Sequence, residues 1–114
     1  MKQDIKDKWV AALRSGEYPQ TTGSLRDEEG YCCLGVLCDL LKDDNEEWIK
    51  SERAYNILND CGLLPVKIQE LAGMESTEGV FFEVGLELNL AELNDEGSTF
   101  VDIANIIEAH WEEL

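Results

Sequence analysis

Cys32, Cys33 and Cys38 fall in the apolar run GYCCLGVLCDLL, residues 30–41, and a fourth cysteine, Cys61, follows downstream. Thiols grouped in this way can bind zinc, exchange disulfides or attack as nucleophiles once deprotonated. Structural zinc prefers C-x2-C pairs backed by a second pair or by histidines, and an adjacent pair followed, after four intervening residues, by a single cysteine fits that spacing poorly. On a helix Cys33 and Cys38 sit about 140° apart and do not face one ion together. Free cysteine packs like a small hydrophobe, so buried core is the expected role, with the thiols reduced and free of metal in a reducing compartment. The chain has one histidine, His110, too few for a multi-histidine metal site. A Cys/His nucleophilic pair would require His110 to meet a cysteine across the fold, and His110 reads more simply as a cationic side chain at a helix C-terminus. There is no phosphate-binding loop and no dinucleotide fingerprint. No cofactor and no catalytic residue are expected.

A second group lies in LAELNDEGSTF, residues 90–100, where Asp95 and Glu96 end a short helix. The helix dipole disfavours negative charge there by roughly 0.3–1 kcal/mol each, so compensation is expected. Arg14 and Arg26 flank the polar stretch SGEYPQTTGSL and are the candidate partners, which defines a candidate pocket of Arg14, Gln20, Arg26, Asn94 and Asp95. The simpler reading, which is preferred, has Arg14 satisfying the last carbonyls of its own helix and Asn94 to Gly97 capping theirs.

These residues need elements to position them. Ile5, Trp9 and Leu13 form one helical stripe that Gly16 would end. Leu34, Leu37, Cys38 and Leu41 repeat at i, i+3, i+4, i+7, while Val36 and Leu40 widen the apolar surface, as in a helix at the centre of a domain. The preceding YPQTTGSLRDEEGYCC suggests a hairpin with strands near Tyr18 to Leu25 and Tyr31 to Cys33. EWIKSERAYNILND predicts a weaker helix with Trp48, Tyr55 and Leu58 on one face, stopped by Gly62. Pro65 opens another short helix with Ile68, Leu71 and Ala72 inward and Gly73 at its exit, and GVFFEVG is the best strand. Asn89 with Glu92, and Thr99 with Asp102, read as capping pairs, the second leading a helix striped by Phe100, Ile103, Ile107 and Trp111. The expected fold is α+β: one domain over residues 1–114, with about four or five helices packed on a small two- or three-stranded antiparallel sheet.

Charge narrows the partners. With 44% hydrophobic and 30% charged residues the chain is ordinary globular material, but its formal net charge is −16. Residues 1–26 hold five basic and three acidic groups, and no Lys or Arg follows Lys67, so the twelve acidic residues from Ile68 to Leu114 must lie on solvated faces. Such a field repels nucleic acid and anionic membranes and speeds encounter with a basic protein surface. Glu108, Glu112 and Glu113 on the last helix are candidate partner-binding residues. Solubility alone is the competing explanation of the charge. No apolar run approaches the roughly 20 residues that span a bilayer, and the N-terminus lacks a signal-peptide core, so the expected compartment is the cytoplasm.

The blocks ALRSG, CCLGVLCDL and LNDEGSTFVDIA, within KWVAALRSGEYPQTTGSLRDEEGYCCLGVLCDL and LAELNDEGSTFVDIANIIE, resemble a group of small uncharacterised proteins of tailed phages and prophages. The resemblance spans most of the chain except Lys42 to Gly79, and Asn105 departs from the acidic residue of that pattern. It implies a phage gene expressed in the cytoplasm of a bacterial host and brings no activity with it. Taken with the charge, the expected function is a non-enzymatic phage accessory protein that binds and inhibits a host protein, such as a defence factor, through an acidic surface. The alternative is a small-molecule binder that sequesters a nucleotide-like ligand through Arg14 and Arg26; an enzyme using Cys33 or Asp95 ranks third.

Overall fold

In the computed structural model, which describes residues 1–114, the stripe Ile5, Trp9, Leu13 is buried along helix α1 (Gln3–Arg14), with Val10 beside it. Gly16 follows in the left-handed region at φ 76°, which a residue without Cβ adopts freely. α1 packs most extensively on helix α5 (Phe100–His110), whose inward face is Phe100, Ile103, Ala104 and Ile107. A capping box starts α5: the Asp102 N–H donates to Thr99 Oγ1 at 3.1 Å, and the Thr99 N–H donates back to the Asp102 carboxylate at 3.4 Å.

Helix α2 (Cys33–Leu41), buried from Cys33 to Cys38, packs on α1. Its N-cap is Cys32, whose sulfur accepts from the Gly35 N–H at 3.4 Å. The Trp9 indole donates to the Cys33 carbonyl at 2.9 Å, which fixes α1 on the start of α2. The three cysteines of this segment are core residues, as their apolar surroundings predict.

Two expectations need correction. The hairpin over Tyr18 to Cys33 is instead an irregular loop with only isolated bridges, Gln20 to Tyr31 and Arg26 to Tyr31. Its backbone donors serve several partners rather than one facing strand: Thr21 N–H bonds Tyr31 O, Tyr31 N–H bonds Pro19 O, and Leu25 N–H bonds Cys61 O, so the loop wraps around the buried Leu25. The helix expected over residues 47–60 is a hairpin, β1 (Ile49–Lys50) paired antiparallel with β2 (Tyr55–Asn56). Ser51 closes its turn on the Ala54 carbonyl through both its N–H and its hydroxyl. Leu58 and Asn59 then take positive φ, incompatible with a helix, and it is Ile57 rather than Leu58 that enters the core.

Helix α3 (Val66–Ala72) follows with Pro65 at its N-cap and Gly73 left-handed at its exit. Ile68 and Ala72 point inward as expected; Leu71 does not, at 41% exposed. The strand in GVFFEVG is β3 (Val80–Glu83), and it pairs antiparallel with a strand the sequence pattern does not announce, β4 (Leu86–Asn89). β4 runs directly into helix α4 (Leu90–Asp95), capped by Asn89, whose side chain accepts from the Glu92 N–H at 2.8 Å. The fold is α+β with five helices and two separate two-stranded antiparallel sheets.

Val84 and Gly85, both with positive φ, form the two-residue turn between β3 and β4. A β-branched residue there is strained, and Val84 is fully exposed, so its side chain repays nothing by packing. Val84→Asn should therefore stabilise the protein by about 1 kcal/mol, seen as a rise of roughly 4 °C in the thermal midpoint. An unchanged or lower midpoint would show that the turn relaxes without cost.

Candidate functional site

The candidate pocket of five residues separates into three places. Gln20 and Asn94 do meet: the Gln20 amide donates to Asn94 Oδ1 at 2.9 Å and to the Ser98 carbonyl at 2.8 Å, and its oxygen accepts from the Phe100 N–H at 3.1 Å. Fully buried Asn94 also accepts from the Cys33 N–H and donates to the Thr21 carbonyl at 2.8 Å. This clasp binds the 15–32 loop to the starts of α2 and α5. Asp95, at the C-terminal end of α4, takes the Gly23 N–H at 2.8 Å, so a backbone dipole supplies the compensation expected from an arginine. Neither arginine pairs with Asp95. Arg14 donates to Asn105 at 2.9 Å and approaches Glu108 at 3.7 Å on the outer face of α1 and α5.

The acidic residues of the last helix are also partly engaged. Glu108 accepts from Lys6 at 3.2 Å; the Lys6 side chain is only 8% exposed, lies over the Trp111 ring, and is held protonated first by its hydrogen bond to Asp7. Glu113 accepts from the Phe82 N–H at 3.0 Å and from His110, which leaves Glu112 as the exposed carboxylate of the three without such a partner.

His110 joins α5 to the β3–β4 hairpin. Its ring lies against Phe81, tilted by 40° with centroids 4.7 Å apart, with Glu113 at 2.5 Å from Nδ1 and Glu83 at 3.3 Å from Nε2. The hydrogen bond to Glu113 raises the His110 pKa, partly opposed by desolvation, while the same bond lowers that of Glu113. A raised imidazole contributes stability that is complete below its unfolded value near 6.5 and is lost as pH rises through its folded value. The thermal midpoint should therefore fall by a few degrees between about pH 6.5 and 9, and His110→Gln should flatten that limb. A wild-type midpoint constant over that range would remove His110 from the stability ledger.

Arg26 occupies a different setting. Its guanidinium carbon lies 4.4 Å from the Tyr55 ring centre, 4.9 Å from Tyr31 and 5.6 Å from Trp48. Tyr31 stands nearly perpendicular both to Trp48, at 77°, and to Tyr18, at 87°, so the rings form walls rather than a stack. One carboxylate steadies two of them: Asp39 accepts from the Tyr18 hydroxyl at 2.7 Å and from the Trp48 indole at 3.1 Å. Burial and then the Asp39 bond push the Tyr18 phenol far above its ordinary range, and burial raises Tyr31, so both remain neutral donors. All three tyrosines and one of three tryptophans gather here, at the junction of the 15–32 loop and the β1–β2 hairpin. The Tyr55 N–H donates to the Arg26 carbonyl at 2.9 Å and locks that junction. Next to it opens a depression of about 310 Å³ lined by Asp27, Glu28, Glu29, Glu52 and Arg53. Asp27 spends its oxygens on Thr21, Glu29 N–H and Gly30 N–H, and Glu28 pairs with Lys50 at 2.7 Å, while the carboxylates of Glu29 and Glu52 make no internal bond. Tyr31, Asp39, Trp48, Tyr55, Glu29 and Glu52 were not candidates from the sequence; the only cue was that aromatic residues recur in the two segments expected to be a hairpin and a helix.

The buried thiols are poor nucleophiles. Burial pushes Cys32 up to about 11 and moves Cys33 and Cys38 upward as well, so at neutral pH all three are protonated. Nowhere do three histidine, cysteine or carboxylate side chains converge as metal ligands, and no helix is long and apolar enough to cross a membrane. A family model described as a domain of unknown function (DUF8296) matches residues 1–111. No curated protein and no solved structure matches the chain.

Proposed function

The chain belongs to the DUF8296 family, a domain of unknown function, and from its geometry we propose a non-catalytic binding protein that blocks a partner with a basic surface. The observation that carries this reading is the acidic depression beside the aromatic cluster, where Glu29 and Glu52 face solvent without internal partners in a chain of net charge −16. The resemblance to small phage proteins extends the proposal to a host protein in the bacterial cytoplasm, where a compact acidic inhibitor would act by occupying a positively charged surface. The alternative of a nucleotide-like ligand held jointly by Arg14 and Arg26 has less support, because Arg14 is engaged with Asn105 and Glu108 and Arg26 with three rings.

The test is capture of the partner at low salt, followed by association kinetics on the purified pair. The association rate should fall steeply as salt rises through 0.15 M, where exposed charges reach only about 8 Å. Glu29→Gln with Glu52→Gln should slow association several-fold, with little effect from Glu112→Gln on the last helix. A partner whose kinetics ignore both salt and the double substitution would reduce the acidic surface to a solubility device.

A further inference from the structure

Arg26 has five N–H donors and makes no side-chain hydrogen bond and no ion pair within the protein, although the carboxylates of Glu29 and Glu52, close by, are without an internal partner too. What holds the guanidinium is three aromatic faces, two of them set almost at right angles. The main chain of Arg26 is anchored independently of its side chain, through the Tyr55 N–H and the bridge to Tyr31. Trp48 is likewise fixed from behind by Asp39. The Arg26 side chain can therefore swing to solvent while its backbone keeps its place, with Trp48 held by Asp39 and Tyr31 by its edge contacts to Tyr18 and Trp48. Asp27, Glu28, Glu29 and Glu52 outnumber Arg53 and Lys50 at the same junction, so its net negative field disfavours an anion docking on the guanidinium and favours a cation entering there.

We propose that the cage of Tyr31, Trp48 and Tyr55 is a pocket for an arginine side chain of the partner, which Arg26 fills in the free protein and vacates on binding. The cage already has the shape of a guanidinium, and exchange of one arginine for another leaves its cation–π contacts unchanged. The neighbouring carboxylates then receive the rest of the basic segment, and Arg26, once outside, is free to meet them. This pocket presupposes the basic partner proposed above.

The test uses the full chain and a small probe, Nα-acetyl-arginine methylamide, with the citrulline analogue as its neutral isostere. Binding is read from the Trp48 indole NMR signal, with the buried Trp9 indole, bonded to Cys33, as internal reference. In Arg26→Ala and Arg26→Gln the arginine probe should shift Trp48 saturably, at least tenfold more tightly than in wild type and at least tenfold more tightly than the citrulline probe. Adding Trp48→Ala to either variant should abolish the response of the Tyr31 and Tyr55 ring signals. Folded variants that do not respond, equal binding of arginine and citrulline, or loss of the β1–β2 hairpin in both variants would overturn the pocket, the last by making Arg26 a structural stud. A saturable response of the wild-type Arg26 side chain to inorganic phosphate would overturn it too. Failure here leaves the salt dependence of the partner complex standing, and failure of that dependence leaves the cage result standing.

Discussion

Asn94→Ala is expected to lower stability by about 3–5 kcal/mol, a large share of the 5–15 kcal/mol typical of a domain. The substitution removes more than one hydrogen bond. It strands the Cys33 N–H, the Thr21 carbonyl and one donor of the Gln20 amide, all within the clasp around a fully buried side chain. Each buried group left unpaired costs about 1–3 kcal/mol, and the Gln20 amide retains its bond to Ser98, so the total falls short of three full penalties. At roughly 4 °C per kcal/mol the thermal midpoint should fall by about 12–20 °C. Asn94→Asp is a sharper version of the test. It keeps the shape but sets a carboxylate oxygen against the Thr21 carbonyl and buries a charge, so it should be at least as damaging at pH 7 and partly relieved by acid. A loss below about 1 kcal/mol for Asn94→Ala, measured by denaturant titration, would show that water or loop movement satisfies the stranded groups.

Gly35→Ala reverses the sign that helix propensity assigns. In the first turn of α2 alanine is favoured over glycine by up to about 1 kcal/mol, and a view from the sequence alone makes this a stabilising change. A Cβ at position 35, however, would lie 1.8 Å from the Leu25 carbonyl oxygen and 2.7 Å from its carbon. Those are backbone atoms, and Leu25 is held by its own bonds to Cys61 and Cys32, so the loop cannot retreat without breaking them. A net loss of about 3 kcal/mol or more is expected, at or beyond the upper end of ordinary overpacking. Gly62→Ala is the matched control, since nothing lies within 4 Å of its added Cβ and its φ is not positive; it should change stability by no more than a few tenths of a kcal/mol. Equal, small effects at both positions would mean that the 15–32 loop yields to the added methyl group without cost.

Residues whose structure is decided locally were legible in advance. The stripes of α1, α2 and α5 persist for two or three turns, and the caps at Gly16, Gly73, Asn89 and Thr99 lie within three residues of what they cap. Trp48 and Tyr55, seven apart, match the helical period by coincidence. Their true neighbour is Arg26, and a cation over a ring leaves no spacing in the sequence. β4 stayed hidden because its turn opens on Val84, where a two-residue hairpin normally shows Asn, Asp or Gly. Of the candidate pocket, the fold brings Gln20 and Asn94 together. The arginines lie apart, because Asp95 at a helix end needs only a dipole, and Gly23 supplies one at no cost in buried charge.

The placement of the four thiols has a consequence for the rates at which the molecule opens. Cys61 is exposed, whereas Cys32, Cys33 and Cys38 are buried in and around α2. An alkylating reagent at neutral pH therefore meets one sulfur at once and the other three only during excursions that expose the centre of the core. The first labelling event reports ordinary solvent access. The later ones, divided by the rate of an unhindered thiol, measure the free energy of opening α2 in the unmodified sequence. The protein thus carries an internal clock for its own breathing, with Cys61 as the zero mark.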